Sequence, residues 1–191
     1  MEEKDRDVIE RIQKGDTDSF AILYEKYVDK IYKFIYFKTS HRETAEDLCT
    51  QTFLKALNKL DTFKIAQKDY FSSWLYAIAR NSVVDHYRKN NNRNEVNIDD
   101  VWDLSDDSNI EIDLDFKRKT ELIASHLKNL SCEQREIIML KIFEDLNYKE
   151  ISLIIDKSED ACKMSFSRAI KALRKELPLS LIISLFFIKL Q

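Results

Sequence analysis

Apolar residues recur every three or four positions along the first half of the chain. The clearest run carries Leu23, Tyr27, Ile31 and Phe34 between residues 17 and 38. This spacing places apolar side chains on one face of an α-helix, which can then pack against other helices. The same period predicts four helices, at about 4–14, 17–38, 41–60 and 70–90, with a polar loop at 61–69.

Polar residues at the ends of these runs predict the helix boundaries. Gly15 is expected to end the first helix and Asp16 to cap the second. Ser40 and Glu43 have the spacing of a capping box, in which each side chain bonds the backbone of the other residue. They therefore predict the start of the third helix, whose apolar stripe is Ala45, Leu48, Cys49, Phe53, Ala56 and Leu60.

The second half of the chain predicts a further helical region that begins near Phe116. Helices are expected at about 116–129, 132–144, 148–155 and 158–176, and Ser131 and Asn147 each open a capping box. A three-residue turn separates the last two helices, which is the spacing of a helix-turn-helix. The last helix has an apolar stripe of Cys162, Phe166, Ala169 and Leu173, and Pro178 would end it.

Composition supports an all-helical fold. The chain has 191 residues but only one Gly and one Pro, which leaves few residues for the tight turns of a sheet protein. Net charge is −3, yet it is unevenly distributed: residues 80–93 are mainly basic, whereas every charged residue from Glu95 to Asp115 is acidic. The predicted fold class is all-α, with two small helical domains joined by an acidic linker.

The predicted boundaries follow from these changes. The first domain covers 1–93, the acidic linker 94–115, the second domain 116–178, and an apolar tail 179–191. At 12 residues, the strongly apolar stretch Leu179–Leu190 is shorter than the ~20 residues that span a bilayer as a helix. We interpret the tail as an additional helix packed on the second domain. The alternative is a docking site for an inhibitor or a membrane surface.

Candidate catalytic groups do not form a recognisable constellation. The three histidines are scattered, the three cysteines are far apart, and no Gly-rich phosphate loop is present. The cysteines are expected to be reduced, buried thiols of a cytoplasmic protein. The sequence therefore predicts a protein that is not an enzyme and that uses neither a cofactor nor a metal.

Three segments of the first half resemble a known family. FAILYEKYVDKIYKF, AEDLCTQTFLKAL and FSSWLYAIARNSVVDHYRK are similar to the first helical domain of the sigma-70 family, and most similar to its extracytoplasmic-function (ECF) branch. The segment LSCEQREIIMLKIFEDLNYKEISLIIDKSEDACKMSFSRAIKALRKEL resembles the second domain of that family. The resemblance implies a sigma factor that binds core RNA polymerase and directs it to promoters.

The resemblance also implies roles for residues of the first domain. The third helix would dock on the clamp coiled coil of polymerase through Asp47, Thr50, Gln51 and Lys55. The family usually has Gln and an acid at the positions of Thr50 and Gln51. The fourth helix would recognise and melt the −10 element through Arg80, Asn81, His86, Arg88 and Lys89. Tyr70, Phe71, Trp74 and Tyr76 would supply aromatic surface. The alternative interpretation is that Trp74 and Phe71 are core residues.

In the second domain the last helix would enter the major groove of the −35 element. Its candidate contacts are Lys163, Met164, Ser167, Arg168 and Lys171, which fall outside the apolar stripe. The family commonly has an Arg at the position of Ser165. The acidic linker would follow the positively charged cleft of polymerase, and an anti-sigma inhibitor is an expected further partner. An ordinary solvated spacer is the alternative interpretation of the linker.

Two other functions fit parts of the sequence. A dimeric helix-turn-helix repressor would bind duplex DNA without polymerase, but it would not need the first-domain motifs. A helical protein-interaction module would leave the basic residues 80–93 and the exposed face of the last helix without a role. Binding to core polymerase separates these two functions from a sigma factor.

Overall fold

The computed structural model describes residues 4–39, 41–63, 71–90 and 130–176, and none of these residues lies in a β-strand. The chain divides into two compact units, Met1–Val96 and Asn97–Gln191. Each unit contains only helices and turns within its described residues, which confirms the predicted all-α class. The predicted linker, the helix at 116–129 and the apolar tail lie outside the described residues, as do the predicted domain boundaries.

The first unit contains the four helices that the periodicity predicts. They are α1 (Asp5–Gln13), α2 (Phe20–Thr39), α3 (Arg42–Lys59) and α4 (Phe71–Asn90). Short 3-10 turns precede α2, at Thr17–Ser19, and follow α3, at Leu60–Thr62. Gly15 adopts a φ of +105° directly after α1, a backbone conformation that glycine tolerates and other residues rarely adopt.

Packing of α2, α3 and α4 forms the core of the first unit. All six residues of the stripe predicted for α3 are buried, and Leu75, Ala79 and Val83 of α4 are almost inaccessible. Aromatic rings fill the junction of the helices: Phe34 of α2 meets Tyr76 of α4 edge to face at 5.1 Å between ring centroids. Each such pair adds about 0.5–1.5 kcal/mol to the burial of its apolar area.

Two predicted helix starts in the first unit are wrong in detail. Asp16 makes no capping bond to the backbone; instead its carboxylate accepts a hydrogen bond from the Ser19 hydroxyl at 2.5 Å within the 3-10 turn. The N-cap of α3 is His41, whose Nδ1 accepts a bond from the Thr44 backbone N–H at 3.3 Å. A neutral imidazole nitrogen is a hydrogen-bond acceptor, so it can replace the usual Ser or Asp oxygen.

The second unit contains a helix-turn-helix. Its described helices are α5 (Cys132–Ile138), which continues as a π-helical turn at Met139–Phe143, α6 (Tyr148–Ile155) and α7 (Glu159–Glu176). Both predicted capping boxes are present with both of their bonds, at the starts of α5 and α6. Ser158 caps α7 by accepting a bond from the Ala161 N–H at 3.2 Å.

The turn between α6 and α7 is fixed at both ends. Asp156 takes the left-handed conformation, with φ of 57°, that ends many helices, and the ammonium of the next residue, Lys157, hydrogen-bonds the Glu133 carboxylate on α5. Tyr148 and Phe166 meet at 6.1 Å between α6 and α7. These contacts hold α7 against the rest of the unit, and the side of α7 that carries Cys162, Ala169 and Leu173 is buried.

Among the described residues, no helix is both long enough and apolar enough to cross a membrane. The three cysteines are free and buried. Burial raises the pKa of the Cys49 thiol to about 11, with a smaller contribution from the negative charge of Asp29. A thiol with that pKa is protonated at neutral pH, as expected of an unreactive core residue.

Candidate functional site

Packing of α3 leaves a continuous exposed row on its outer side. Asp47, Thr50 and Gln51 are all exposed, on the side opposite the buried stripe. The Thr50 hydroxyl donates to the Glu46 carbonyl at 3.0 Å, so its proton is already used and its oxygen can only accept a further hydrogen bond. Three of the four residues predicted to dock on polymerase therefore lie together on one accessible face.

Lys55, the fourth predicted docking residue, points elsewhere. Its ammonium donates a hydrogen bond to the Ser82 hydroxyl at 3.0 Å, which ties α3 to α4. Ser82 itself is buried, and Lys55 is half-buried. The family resemblance implied a docking role for Lys55, but a hydrogen-bond partner on a neighbouring helix cannot be predicted from the sequence of one segment.

Sequence reasoning missed the apolar part of the same face. Leu54 is 55% exposed. It lies three residues after Gln51 and on the same face of α3 as Asp47 and Thr50. Leu57 lies three residues after Leu54 and is also exposed. Together with Tyr24 of α2, Leu57 lines a groove of about 650 Å³ whose wall carries two acids, Asp18 and Asp61. The signal was available in the sequence, because Leu54 and Leu57 do not belong to the buried stripe of α3.

Three side chains form a row along one side of α4. Trp74, Asn81 and Arg88 are spaced by seven residues, or about two helical turns, so they lie above one another on one side of the helix. Asn81 and Arg88 are exposed, and Trp74 is half-buried. The row combines a ring surface, an amide that both donates and accepts, and a cationic fork, which are suitable for contacts to unpaired bases and phosphates.

The indole of Trp74 belongs partly to the core. Its ring lies 4.6 Å from the Phe63 ring and 5.7 Å from the Phe71 ring, measured between centroids. Phe71 and Tyr76 are each 1% exposed, so both are core residues. The prediction of aromatic surface is wrong for Tyr76, and for Phe71 the alternative interpretation as a core residue is confirmed. Tyr70 lies outside the described residues.

His86 is not part of the α4 row. Its ring lies beside Tyr87, with ring centroids 5.5 Å apart, and its half-buried position is on another side of the helix. Burial lowers the pKa of His86, and the nearby imidazole of His41 lowers it further. The lowered pKa favours the neutral form of His86 at pH 7. Of the other residues predicted on α4, Lys89 is exposed and Arg80 is half-buried.

All five predicted contacts on α7 lie on its exposed side. They are Lys163, Met164, Ser167, Arg168 and Lys171. Lys163 forms an ion pair with Asp160, with 3.2 Å between Nζ and Oδ1, so one of the three cations is partly neutralised near the start of the helix. The sequence predicted the direction of this face because three residues of the predicted apolar stripe, Cys162, Ala169 and Leu173, are buried. The fourth, Phe166, is half-buried.

Family models and relatives agree with this arrangement. The model of sigma-70 region 2 matches residues 23–93, and that of sigma-70 region 4 matches residues 121–173. The ECF RNA polymerase sigma factor SigW of Bacillus subtilis (strain 168) is 30% identical over 185 residues, which are 88% of this chain and 94% of SigW. The chain belongs to the ECF branch of the sigma-70 family.

A second relative and a solved structure are also similar to this chain. The ECF RNA polymerase sigma factor BldN of Streptomyces coelicolor is 32% identical over 173 residues, which are 90% of this chain but 65% of BldN. The structure of the sigma factor RpoE of Bartonella quintana, in complex with the anti-sigma factor NepR, has the same fold: the TM-score is 0.61 at 24% identity, over 82% of this chain and 94% of RpoE.

Membership in this family decides between the functions that the sequence left open. The chain is a sigma factor, a protein that binds core RNA polymerase and promoter DNA and directs the polymerase to promoters. A dimeric repressor and a helical interaction module are not supported. Sigma factors are not enzymes, and the described residues contain no group of His, Cys, Asp or Glu side chains that could hold a metal ion.

The Lys55–Ser82 bond predicts a stabilising role for Lys55. Lys55→Ala and Ser82→Ala should each destabilise the protein, and the double variant should lose less than the sum, with a coupling free energy of about 1 kcal/mol. Urea unfolding of the four proteins measures this coupling. Gln51→Ala is the control, because its exposed side chain predicts a change within about 0.5 kcal/mol. Additive losses for Lys55 and Ser82 would show that the bond contributes nothing.

Proposed function

We propose that the three exposed faces divide the work of promoter recognition. The α3 face of Asp47, Thr50, Gln51 and Leu54 docks on the clamp coiled coil of polymerase. The α4 row of Trp74, Asn81 and Arg88 contacts the −10 element as it opens, and the α7 face enters the −35 major groove. The observation that supports this division is that the residues of each face are exposed, except the half-buried Trp74, while the opposite side of each helix is buried.

The composition of the α3 face suits a protein partner. An interface needs an apolar centre that is excluded from water, with polar groups around it that set the register. Leu54, at 55% exposure, supplies the apolar centre, and Asp47 and Gln51 supply polar groups on the same row. Among the four residues predicted for docking, Asp47 is the one that carries a carboxylate, because Thr50 and Gln51 are uncharged.

The α4 row suits an opened strand better than a duplex. A base that leaves the stack needs a flat surface to lie against and a partner for its Watson–Crick edge. The accessible part of Trp74 offers the surface, and Asn81, two turns away, offers the amide. Arg88 and Lys89 add positive charge at the C-terminal end, where the helix dipole also favours cations.

The α7 face suits duplex DNA. Arg168 and Lys171 are both exposed. We expect Arg168 to contact a base edge and Lys171, nearer the end of the helix, to contact a phosphate. An Arg that bonds guanine with both of its donors discriminates between bases by about 1–3 kcal/mol, and a Lys on a phosphate adds affinity without base preference. The cytoplasm, where core polymerase and DNA are found, is the proposed location.

Anti-sigma control is the remaining part of the proposal. The related RpoE structure contains the anti-sigma factor NepR, which supports a partner of that class for this chain. Such a partner would compete with polymerase for the α3 face. Purification of the tagged chain from its own host tests this: a bound protein that core polymerase displaces supports the proposal, and one that remains bound beside polymerase contradicts it.

The α3 face is tested by reversing one charge. Asp47→Lys should raise the concentration of the chain needed for half-maximal run-off transcription with core polymerase by at least about tenfold. The reason is that the lysine would repel the positive group of polymerase that the Asp47 carboxylate is proposed to contact. Asp7→Lys makes the same charge change on the exposed side of α1 and is the control. If both variants transcribe like the parent protein, the docking face is assigned to the wrong helix side.

The α4 row is tested by separating DNA binding from DNA opening. Asn81→Ala should reduce open complexes about three- to tenfold, measured as permanganate reactivity of unpaired thymines, and should leave the closed complex in a gel shift nearly unchanged. Arg80→Ala, beside the row, should show a loss in the same direction. His86→Gln is the control, because His86 lies on another side of α4. Equal losses in both assays for Asn81→Ala would contradict a role in strand opening.

A further inference from the structure

Met164 is an exposed apolar residue near the start of α7. It is 55% exposed and lies opposite the buried side formed by Cys162, Ala169 and Leu173. With about 3.6 residues per turn, its neighbours on the same face lie three, four and seven positions away. Those neighbours are all exposed and polar: Asp160, Ser167, Arg168 and Lys171. An apolar side chain therefore lies at the centre of an otherwise polar face.

A single exposed apolar residue does not by itself indicate a function. The position of Met164 is informative because this face is the one proposed to enter the major groove, where the side chain would lose its contact with water. The thioether has no donor and is only a weak acceptor, so it cannot satisfy the polar edges of most bases. The C5-methyl of thymine is the apolar group that base pairs present in the major groove.

We propose that Met164 reads the C5-methyl group of a thymine in the −35 element and so selects a T·A base pair there. The inference rests on the proposed function, in which α7 enters the groove of promoter DNA. Methionine suits this contact because its unbranched, flexible side chain adapts to the shape of the methyl group. The ion pair of Lys163 with Asp160, at 3.2 Å, keeps a neighbouring ammonium directed at the preceding turn.

The test removes single methyl groups from the DNA. The complex of core polymerase with the full chain first selects preferred −35 sequences from a random library. Each thymine of the selected element is then replaced by uracil, which lacks only the methyl group, and relative affinity is measured by competition. One replacement should weaken binding about fourfold, the effect expected for one methyl-sized apolar contact, and the other positions should change less.

Protein variants assign that effect to Met164. In Met164→Ser the affected thymine and its uracil replacement should bind equally. Leu153→Ala is the matched control: Leu153 is 53% exposed but lies on α6, so the uracil effect should persist. An effect that survives Met164→Ser, or the absence of any uracil effect in the parent protein, overturns the inference.

A second measurement does not depend on a variant. With the parent protein, a C·G pair at the affected position should bind more weakly than T·A, and 5-methylcytosine should recover part of the loss because it restores the methyl group. No recovery overturns the inference. Promoter selection with no response to any methyl group contradicts Met164 alone, whereas failure to select any promoter with core polymerase contradicts the proposed function as well.

Discussion

Burial of one apolar stripe per helix determines the direction in which the remaining residues of that helix point. On α3 the stripe from Ala45 to Leu60 is packed against α2 and α4, which leaves Asp47 and Leu54 on the outside. On α7 the stripe of Cys162, Ala169 and Leu173 has the same effect for Met164 and Arg168. The positions of the proposed contact residues therefore depend on core packing, because these residues lie within the helices themselves.

Polar contacts then fix the helices against one another. The bond from Lys55 to Ser82 joins the docking helix to the helix proposed to open DNA, and the bond from Lys157 to Glu133 holds the turn before α7. Such contacts are individually worth about 1 kcal/mol or less when they are partly exposed. Their effect is to set the angle and position of α3, α4 and α7 within each unit, on which any precise contact with polymerase or DNA depends.

Much of the fold follows from local patterns in the sequence. The apolar stripes of α3 and α7 and the capping boxes at Ser131 and Asn147 were predictable because they depend on residues within a few turns of one another. The bond made by Lys55 and the burial of Tyr76 were not, because they depend on side chains from other helices. His41 was missed as a cap because a histidine nitrogen is an uncommon substitute for a hydroxyl or carboxylate oxygen.

In the proposed function, the α3, α4 and α7 faces recognise a promoter only together with core polymerase. DNase footprinting on one selected promoter, with the chain alone, core polymerase alone and both together, measures this dependence. Protection of the −35 and −10 elements is expected only when both are present. Specific protection by the chain alone, at concentrations where it directs transcription, would contradict it.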